Sequence, residues 1–460
     1  MTDGPVQDLL GRVRGHVLVT GDQDYDQARR VYNAMFDRRP LAVVRAVDVA
    51  DVRAAVDTAR TSGLELAVRG GGHSVPGFGT VDDGIAVDLS AMKGIRIDPE
   101  AGVAHVQAGC TWGDLNHATY DFGLATTGGI ISTTGVSGLT LGGGIGYLAR
   151  AHGLSCDNLR SADVVLADGS FVTAGPDEHD DLFWALRGGG GNFGVVTSLE
   201  FDLHPVRDIY GGPMFFELDA AEELLRTFRE WLPQAPREMG GFPAFQIAPP
   251  LPFIPEERHG QPFILFVACF NGPDEEGERL LSAFRDVAQP VAEHVGRMPY
   301  PALNSAFDAL VPPGLQHYWK ASFLPELSDE AIAAHLSHGP KVPAVQSTVH
   351  LYPLDGAVHD VAQDETAFAY RDADIAQVIA GMWPDPGDNA DNIRWVRDYY
   401  AALEPHSSAG GYVNFMAEDD QDRVRGNYRD NYDRLVDIKK RYDPDNLFHL
   451  NQNIKPDTEA

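Results

Sequence analysis

Three glycine clusters in the first 200 residues of this 460-residue chain limit the folds open to it more than any other feature. The first, Arg69-Gly70-Gly71-Gly72-His73-Ser74, follows an apolar segment at 64–68 that reads as a strand. Without a Cβ, glycine reaches φ > 0 and lets another backbone or a ligand come close. Consecutive amide N–H groups can then turn toward one point and form a nest for phosphate oxygens. Arg69 adds charge beside that nest, and His73 sets a nucleophilic imidazole at its mouth. Taken alone, the six residues read equally well as a plain turn with a solvent-facing histidine. The second cluster runs over 128–146 and includes Gly138, Gly142 and Gly144; the third spans 187–194. Together the three imply a cofactor lying extended across backbone.

The order strand, helix, strand, glycine loop suggests a dinucleotide-binding fold, but Pro76 and Gly77 stand where a helix should begin. The phosphate would have no helix N-terminus to sit on. Gly189, Gly191 and Gly194 do match GxGxxG. A helix over 177–187 precedes that match and a strand over 195–203 follows it, the reverse of the dinucleotide fingerprint. Ahead of the first cluster, residues 6–36 read as helical and 41–47 as a buried strand. Asp48 is the expected N-cap of a helix carrying Val49, Val52, Val56 and Ala59, stopped at Ser62-Gly63. Short strands are expected at 84–88, 94–98, 103–108 and 164–167, and a helix opening within 109–115.

His204-Pro205 marks a change of texture. From 206 to about 405 glycine clusters vanish, and apolar strands such as 263–268 alternate with amphipathic helices at 219–232 and 273–287. This pattern predicts an α+β domain with an antiparallel sheet able to wall a pocket. In the tail, Val424, Tyr428, Tyr432, Leu435 and Tyr442 mark one face of a single helix, ended by Asp443-Pro444-Asp445. The expected division is 1–205, 206–405 and 406–460.

Composition narrows the partners. The net charge is −31, and six of the 36 basic residues are lysine. So acidic a chain repels nucleic acid and anionic membrane. No apolar run approaches the ~18 residues of a membrane span. The start, Met1-Thr2-Asp3-Gly4-Pro5, lacks the basic and apolar parts of a signal peptide, so a cytoplasmic protein is expected. Cys110, Cys156 and Cys269 form no CxxC, which argues against a disulfide framework and a zinc site; no metal is expected. Oligomeric state is not legible.

The motif order, over nearly the whole chain, resembles the covalent-flavin oxidases of the vanillyl-alcohol oxidase superfamily, in its berberine-bridge-enzyme-like branch. That resemblance implies a PCMH-type, two-lobed FAD-binding domain with its core at about 36–205, an α+β substrate domain, and a C-terminal segment returning to complete the FAD domain. The loop at 69–74 looks like the family's pyrophosphate loop. Gly153-Leu154-Ser155-Cys156-Asp157-Asn158 looks like its second flavin-attachment motif, and 441–456 like its terminal segment. FAD would then be bound twice, through His73 to the 8α-carbon and Cys156 to C6. Arg69, Gly70, Gly71, Gly72 and Ser74 would contact it, as would Gly138, Gly142, Gly144 and Asn158. Val196, Asn451 and Asn453 complete the implied cofactor set.

The same resemblance implies hydride transfer from an alcohol-type CH–OH group of a small molecule, such as a sugar or secondary metabolite, with O2 reoxidising the flavin to give H2O2. A tailoring enzyme forming a C–C or C–O bond, a dehydrogenase reacting poorly with O2 and a flavin-binding protein with little turnover are the alternatives. Tyr412, in Gly411-Tyr412-Val413-Asn414-Phe415, is the expected base. Tyr370 falls where relatives often carry His, and Asp364 and Glu365 where some place a catalytic acid. Leu159 falls at a position that controls oxygen access. On probable strands of the substrate sheet, alternate residues share a face. Tyr318 therefore pairs with Lys320 and His350 with Tyr352, and one member of each pair reads equally well as pocket lining or as core packing.

Overall fold

A computed structural model describes residues 3–456; Met1 and Thr2 of the amino-terminal run lie outside the described residues. A four-stranded sheet comes first, ordered His16–Leu18, Ala42–Arg45, Ile85–Asp88, Leu66–Arg69. Its last three strands run parallel. Helix Val49–Ser62 makes the crossover, opened by Asp48, whose carboxylate accepts the Asp51 N–H, and closed by Gly63 at φ 62°. The parallel register sets Arg45 and Arg69 opposite Asp88 from its two sides. The first glycine loop therefore leaves the carboxyl end of the edge strand Leu66–Arg69, where open α/β sheets take their ligands.

A second sheet of five antiparallel strands follows, in the order Ile95–Asp98, Val103–Gln107, Val195–Asp202, Leu159–Val165, Phe171–Ala174. The third sheet has eight strands between residues 208 and 383, all paired antiparallel. Strict side-chain alternation splits it into two faces. Phe245, Ile264, Phe266, Val349, Leu351 and Ile379 pack beneath helices Ala221–Trp231, Asp274–Val287, Asp329–His338 and Asn389–Leu403. The opposite face turns toward the glycine loops.

Two expected helices differ. The stretch 6–36 holds helix Asp3–Arg12, strand His16–Leu18 and one turn of helix at Tyr25–Ala28, and no single helix. Its apolar residues are divided between a sheet edge and the loop region they cover. The tail helix breaks into Val424–Tyr428 and Tyr432–Tyr442 at Arg429, whose φ is 46°. There the Arg429 guanidinium stacks 3.8 Å from the Tyr370 ring centroid, and Asn431 Nδ2 donates to the carbonyls of Gln363 and Thr366. Tertiary contacts win over helical periodicity at that point. No helix among the described residues is long and apolar enough to cross a membrane.

The tail closes the first half of the molecule. Lys439 is wholly buried and donates to Asp443 at 2.6 Å, to the Asn192 carbonyl at 2.7 Å and to the Phe448 carbonyl at 2.9 Å. It thereby ties the last helix, the third glycine cluster and the following 446–456 stretch into one unit.

Candidate functional site

Between the glycine loops and the open face of the large sheet lies a cavity of about 360 Å³. Its floor is backbone. A Cβ added at Gly71 would stand 2.3 Å from the Gly135 nitrogen, and one at Gly70 2.9 Å from Ser137 Oγ. The first and second glycine clusters are thus in direct backbone contact. Arg69, Gly70, Gly71, Gly72, His73, Ser74, Gly138, Val196 and Asn451 all line the cavity. The Arg69 guanidinium is held by Asp88 at 2.7 Å and by the Arg30 carbonyl, which leaves it shaping the strand end more than offering free charge.

His73 opens on the cavity. Its ring stacks on Tyr32 with centroids 3.7 Å apart, Nε2 meets Thr133 Oγ1 at 3.1 Å and Nδ1 meets Thr134 Oγ1 at 3.4 Å. Burial pulls its pKa down to about 4, so the imidazole is neutral near pH 7 and keeps a nucleophilic nitrogen. Sequence reasoning missed the segment that holds it. Asn33 Nδ2 donates to the carbonyls of Val75 and His317, and Asn33 Oδ1 accepts the His317 N–H, stitching the glycine loop to the large sheet. No spacing signal marks Tyr32 or Asn33, because both act through tertiary contact.

The sheet face of the cavity carries alternate residues of five strands: Phe242, Ala244 and Gln246; Leu265 and Val267; His317 and Trp319; Thr348, His350 and Tyr352; Val378, Ala380 and Met382. Both His350 and Tyr352 face it, with Nδ1 and Oη 2.6 Å apart. Tyr318 and Lys320 do not. They lie on the helix-covered side, where both bind Asp419. His317 and Trp319, one residue out of step, take their place, since a one-residue change of register swaps the faces.

Several expected site residues stand back from the cavity. Tyr412 is buried among Phe323, Phe368 and Phe415, and its oxygen accepts the Gly144 N–H at 2.8 Å, the Ile145 N–H at 3.3 Å and Asn414 Nδ2 at 2.8 Å. Burial pushes its pKa up to about 12 despite these donors. It fastens Gly144 to the 411–415 segment. Tyr370 stacks on Phe323 at 4.1 Å and donates to the Gly426 carbonyl. Cys156 is fully buried, its Sγ 3.6 Å from Asp157 Oδ1, and burial drives the thiol pKa well up. Gly142 packs against Asn414. Asn158 is spent on the His152 and Leu154 carbonyls and on His204. The Asn453 N–H reaches Gln421 Oε1 outside the cavity. Leu159 is in the core, and Asp364 and Glu365 lie on an exposed loop.

Comparison with known proteins agrees with this layout. A family model described as FAD binding domain matches residues 40–175, and one described as Berberine and berberine like matches 411–455. The FAD-linked oxidoreductase YgaK of Bacillus subtilis, itself uncharacterised, is 32% identical over 97% of this chain and 98% of its own length. The chain belongs to the berberine-bridge-enzyme-like FAD-linked oxidoreductases. The solved structure of 6-hydroxy-D-nicotine oxidase from Arthrobacter nicotinovorans superposes at TM-score 0.85, with 27% identity over 97% of this chain and 98% of that one. Glucooligosaccharide oxidase of Acremonium strictum, described as carrying a 6-S-cysteinyl, 8α-N1-histidyl FAD, shares the fold at TM-score 0.86 with 23% identity over 99% of this chain and 100% of that one.

The cavity of this family member suits FAD. Backbone contact between Gly71 and Gly135 makes the cradle, and Asn451 Oδ1 and Gln452 Nε2 are buried at its wall without partners among the described residues. Buried polar atoms of this kind ordinarily find one. In the substrate half, Tyr32 Oη, His317 Nε2 and Trp319 Nε1 are likewise unpartnered.

Proposed function

We propose that the protein oxidises an alcohol-type CH–OH substrate on FAD tethered through His73, with O2 as the electron acceptor and H2O2 as the product. The observation that carries this reading is His73: a neutral imidazole at the end of a backbone cradle, opening on the cavity and held on three sides by Tyr32, Thr133 and Thr134. The bound flavin supplies the two-electron acceptor. The chain supplies placement, an aromatic wall and the acceptor for the substrate's proton. The Gly70–Gly72 amides and Ser74 cradle the pyrophosphate, while Asn451 and Gln452 close the cofactor side. Tyr412, with its oxygen already taken by three donors, positions the Gly144 turn.

A second tether at Cys156, as in the glucooligosaccharide enzyme, has weaker support. The thiol is buried beside Asp157, and its raised pKa leaves little thiolate to attack. Acid precipitation of the holoenzyme separates the two cases. Wild type and Cys156→Ala are expected to keep flavin absorbance in the washed, redissolved pellet, and His73→Ala to lose it. Flavin retained in His73→Ala and lost only in the double variant would establish two bonds. Flavin lost from wild type would refute a covalent tether. An oxygen electrode and a peroxide assay over a panel of alcohols then test the reaction itself.

A further inference from the structure

Arg69 is the one charged side chain among the described residues that line the cavity, and Asp88 neutralises it. On a chain of net charge −31, a wall without a free carboxylate or ammonium is a marked departure. A charged ligand would be desolvated there with no counter-charge. The wall facing the flavin loops is built of rings instead. Phe242 lies 4.7 Å from both His350 and Tyr352, Trp319 lies 5.7 Å from Phe415, and Tyr352 lies 6.1 Å from Phe415.

Within that wall, one pair is arranged to move a proton. His350 Nδ1 and Tyr352 Oη are 2.6 Å apart, and among the described residues His350 Nε2 makes no hydrogen bond, while the residue lines the cavity. With Nδ1–H donating to the phenol oxygen, Nε2 holds the free lone pair; the bond at one ring nitrogen fixes the chemistry of the other. Of the other two cavity histidines, His73 is given to the cofactor reading, and His317 Nε2 has no partner among the described residues.

Resting on the oxidase reading above, we propose that His350, oriented by Tyr352, takes the hydroxyl proton of an uncharged, ring-bearing alcohol. The substrate C–H leaves with both electrons to FAD, the O–H proton goes to His350 Nε2, and C–O becomes C=O. Atoms and electrons balance with FAD as the only oxidant in the step. Burial holds the His350 pKa at about 3, so the ring is unprotonated at any working pH. The same burial disfavours the imidazolium formed in the step, and the bond to Tyr352 offsets part of that cost. Tyr412 acts on Tyr352, and Tyr352, Cys269 and Tyr300 act on the neighbouring Tyr147, all of them phenols or a thiol and none an acid or a base charged near pH 7.

Cinnamyl alcohol, cellobiose and benzylamine serve as uncharged-ring, polyhydroxyl and cationic probes of the holoenzyme. Binding is read from perturbation of the oxidised flavin spectrum, and turnover from anaerobic bleaching. Cinnamyl alcohol is expected to bind tightest and to bleach the flavin. His350→Gln should slow bleaching by about 10²–10⁴-fold, the usual share of a general base, while changing probe affinity less than tenfold. Tyr352→Phe should slow bleaching at saturating probe by at least tenfold while changing probe affinity less than tenfold, because Nδ1–H loses the acceptor that leaves the lone pair on Nε2. That isosteric change keeps the test open if His350→Gln loses its flavin. Unaltered bleaching in either variant would overturn the base. Bleaching by cellobiose but not by cinnamyl alcohol would overturn the substrate class and leave the alcohol-oxidase reading standing; bleaching by benzylamine alone would overturn both. No bleaching by any probe would remove the oxidase reading and this proposal with it.

Discussion

Lys439 and Asp443 are each wholly enclosed, and the ammonium has three acceptors around it. Asp443 in turn accepts the N–H groups of Leu447 and Phe448. A buried pair adds little over a well-packed apolar pair, but removing one member strands the other charge. Lys439→Met should therefore cost about 3–5 kcal/mol in urea unfolding, with flavin release in step. Lys439→Met combined with Asp443→Leu should recover part of that loss. A single variant within about 1 kcal/mol of wild type would show that water reaches Asp443. In the sequence Lys439 is one of several basic residues near a helix end, and nothing local separates it from exposed Lys440. The residues legible beforehand were those whose chemistry is local: His73 after three glycines, Asp48 before a helix. Those that were not, such as Asn33 and Tyr32, act across hundreds of positions.

At the level of elements, the 30–36 segment is tied to the glycine loop and to the start of the strand Gln316–Leu324 by backbone bonds, Tyr32 N–H to Gly72 and Ala34 N–H to Leu315, and by the side chain of Asn33. Asn33→Ala removes four hydrogen bonds at once, to the Val75 and His317 carbonyls and from the His317 and Met35 amides. Leaving those groups unpaired should cost about 1–3 kcal/mol and loosen the stacking of Tyr32 on His73. Flavin incorporation per polypeptide, measured from absorbance ratios, should fall more than global stability does. Equal losses in both would deny the segment a specific role. Helix Val49–Ser62 offers a milder case: Asp48→Ala removes its cap and should cost about 1 kcal/mol without touching flavin content. The sequence made most elements visible through glycine boundaries and apolar runs. It left the parity of the strand Gln316–Leu324 open, because that strand is buried on both faces and carries polar and apolar residues on each, so alternation has no sign there. The break at Arg429 was hidden for the opposite reason: the heptad-like apolar stripe continues across it, while the chain turns to meet Tyr370.

For the whole molecule, acid is the expected weakness. Burial lowers the pKa of His73 and His152 to about 4, and that of His317, His335 and His350 to about 3. An unfolded chain binds protons at these rings from ~6.5 downward while the folded one does not, so stability is full above ~6.5 and falls as pH drops toward 4. The urea midpoint should decline from pH 7 to pH 5. His335→Gln, remote from the cavity and bonded to Tyr399, should flatten that decline. An unchanged slope would remove His335 from the account. The net charge of −31 adds self-repulsion, so raising NaCl should raise the melting temperature. The closure through Lys439 also works as a latch. The cradle comes from loops at 69–74 and 128–146, but Asn451 and Gln452, which complete the cofactor wall, come from beyond the last helix and are held near it by the bonds from Lys439 to the Asn192 and Phe448 carbonyls. Releasing that one ammonium opens the wall while every glycine loop keeps its own contacts, so the cofactor is exposed from a side that touches none of the motifs that bind it.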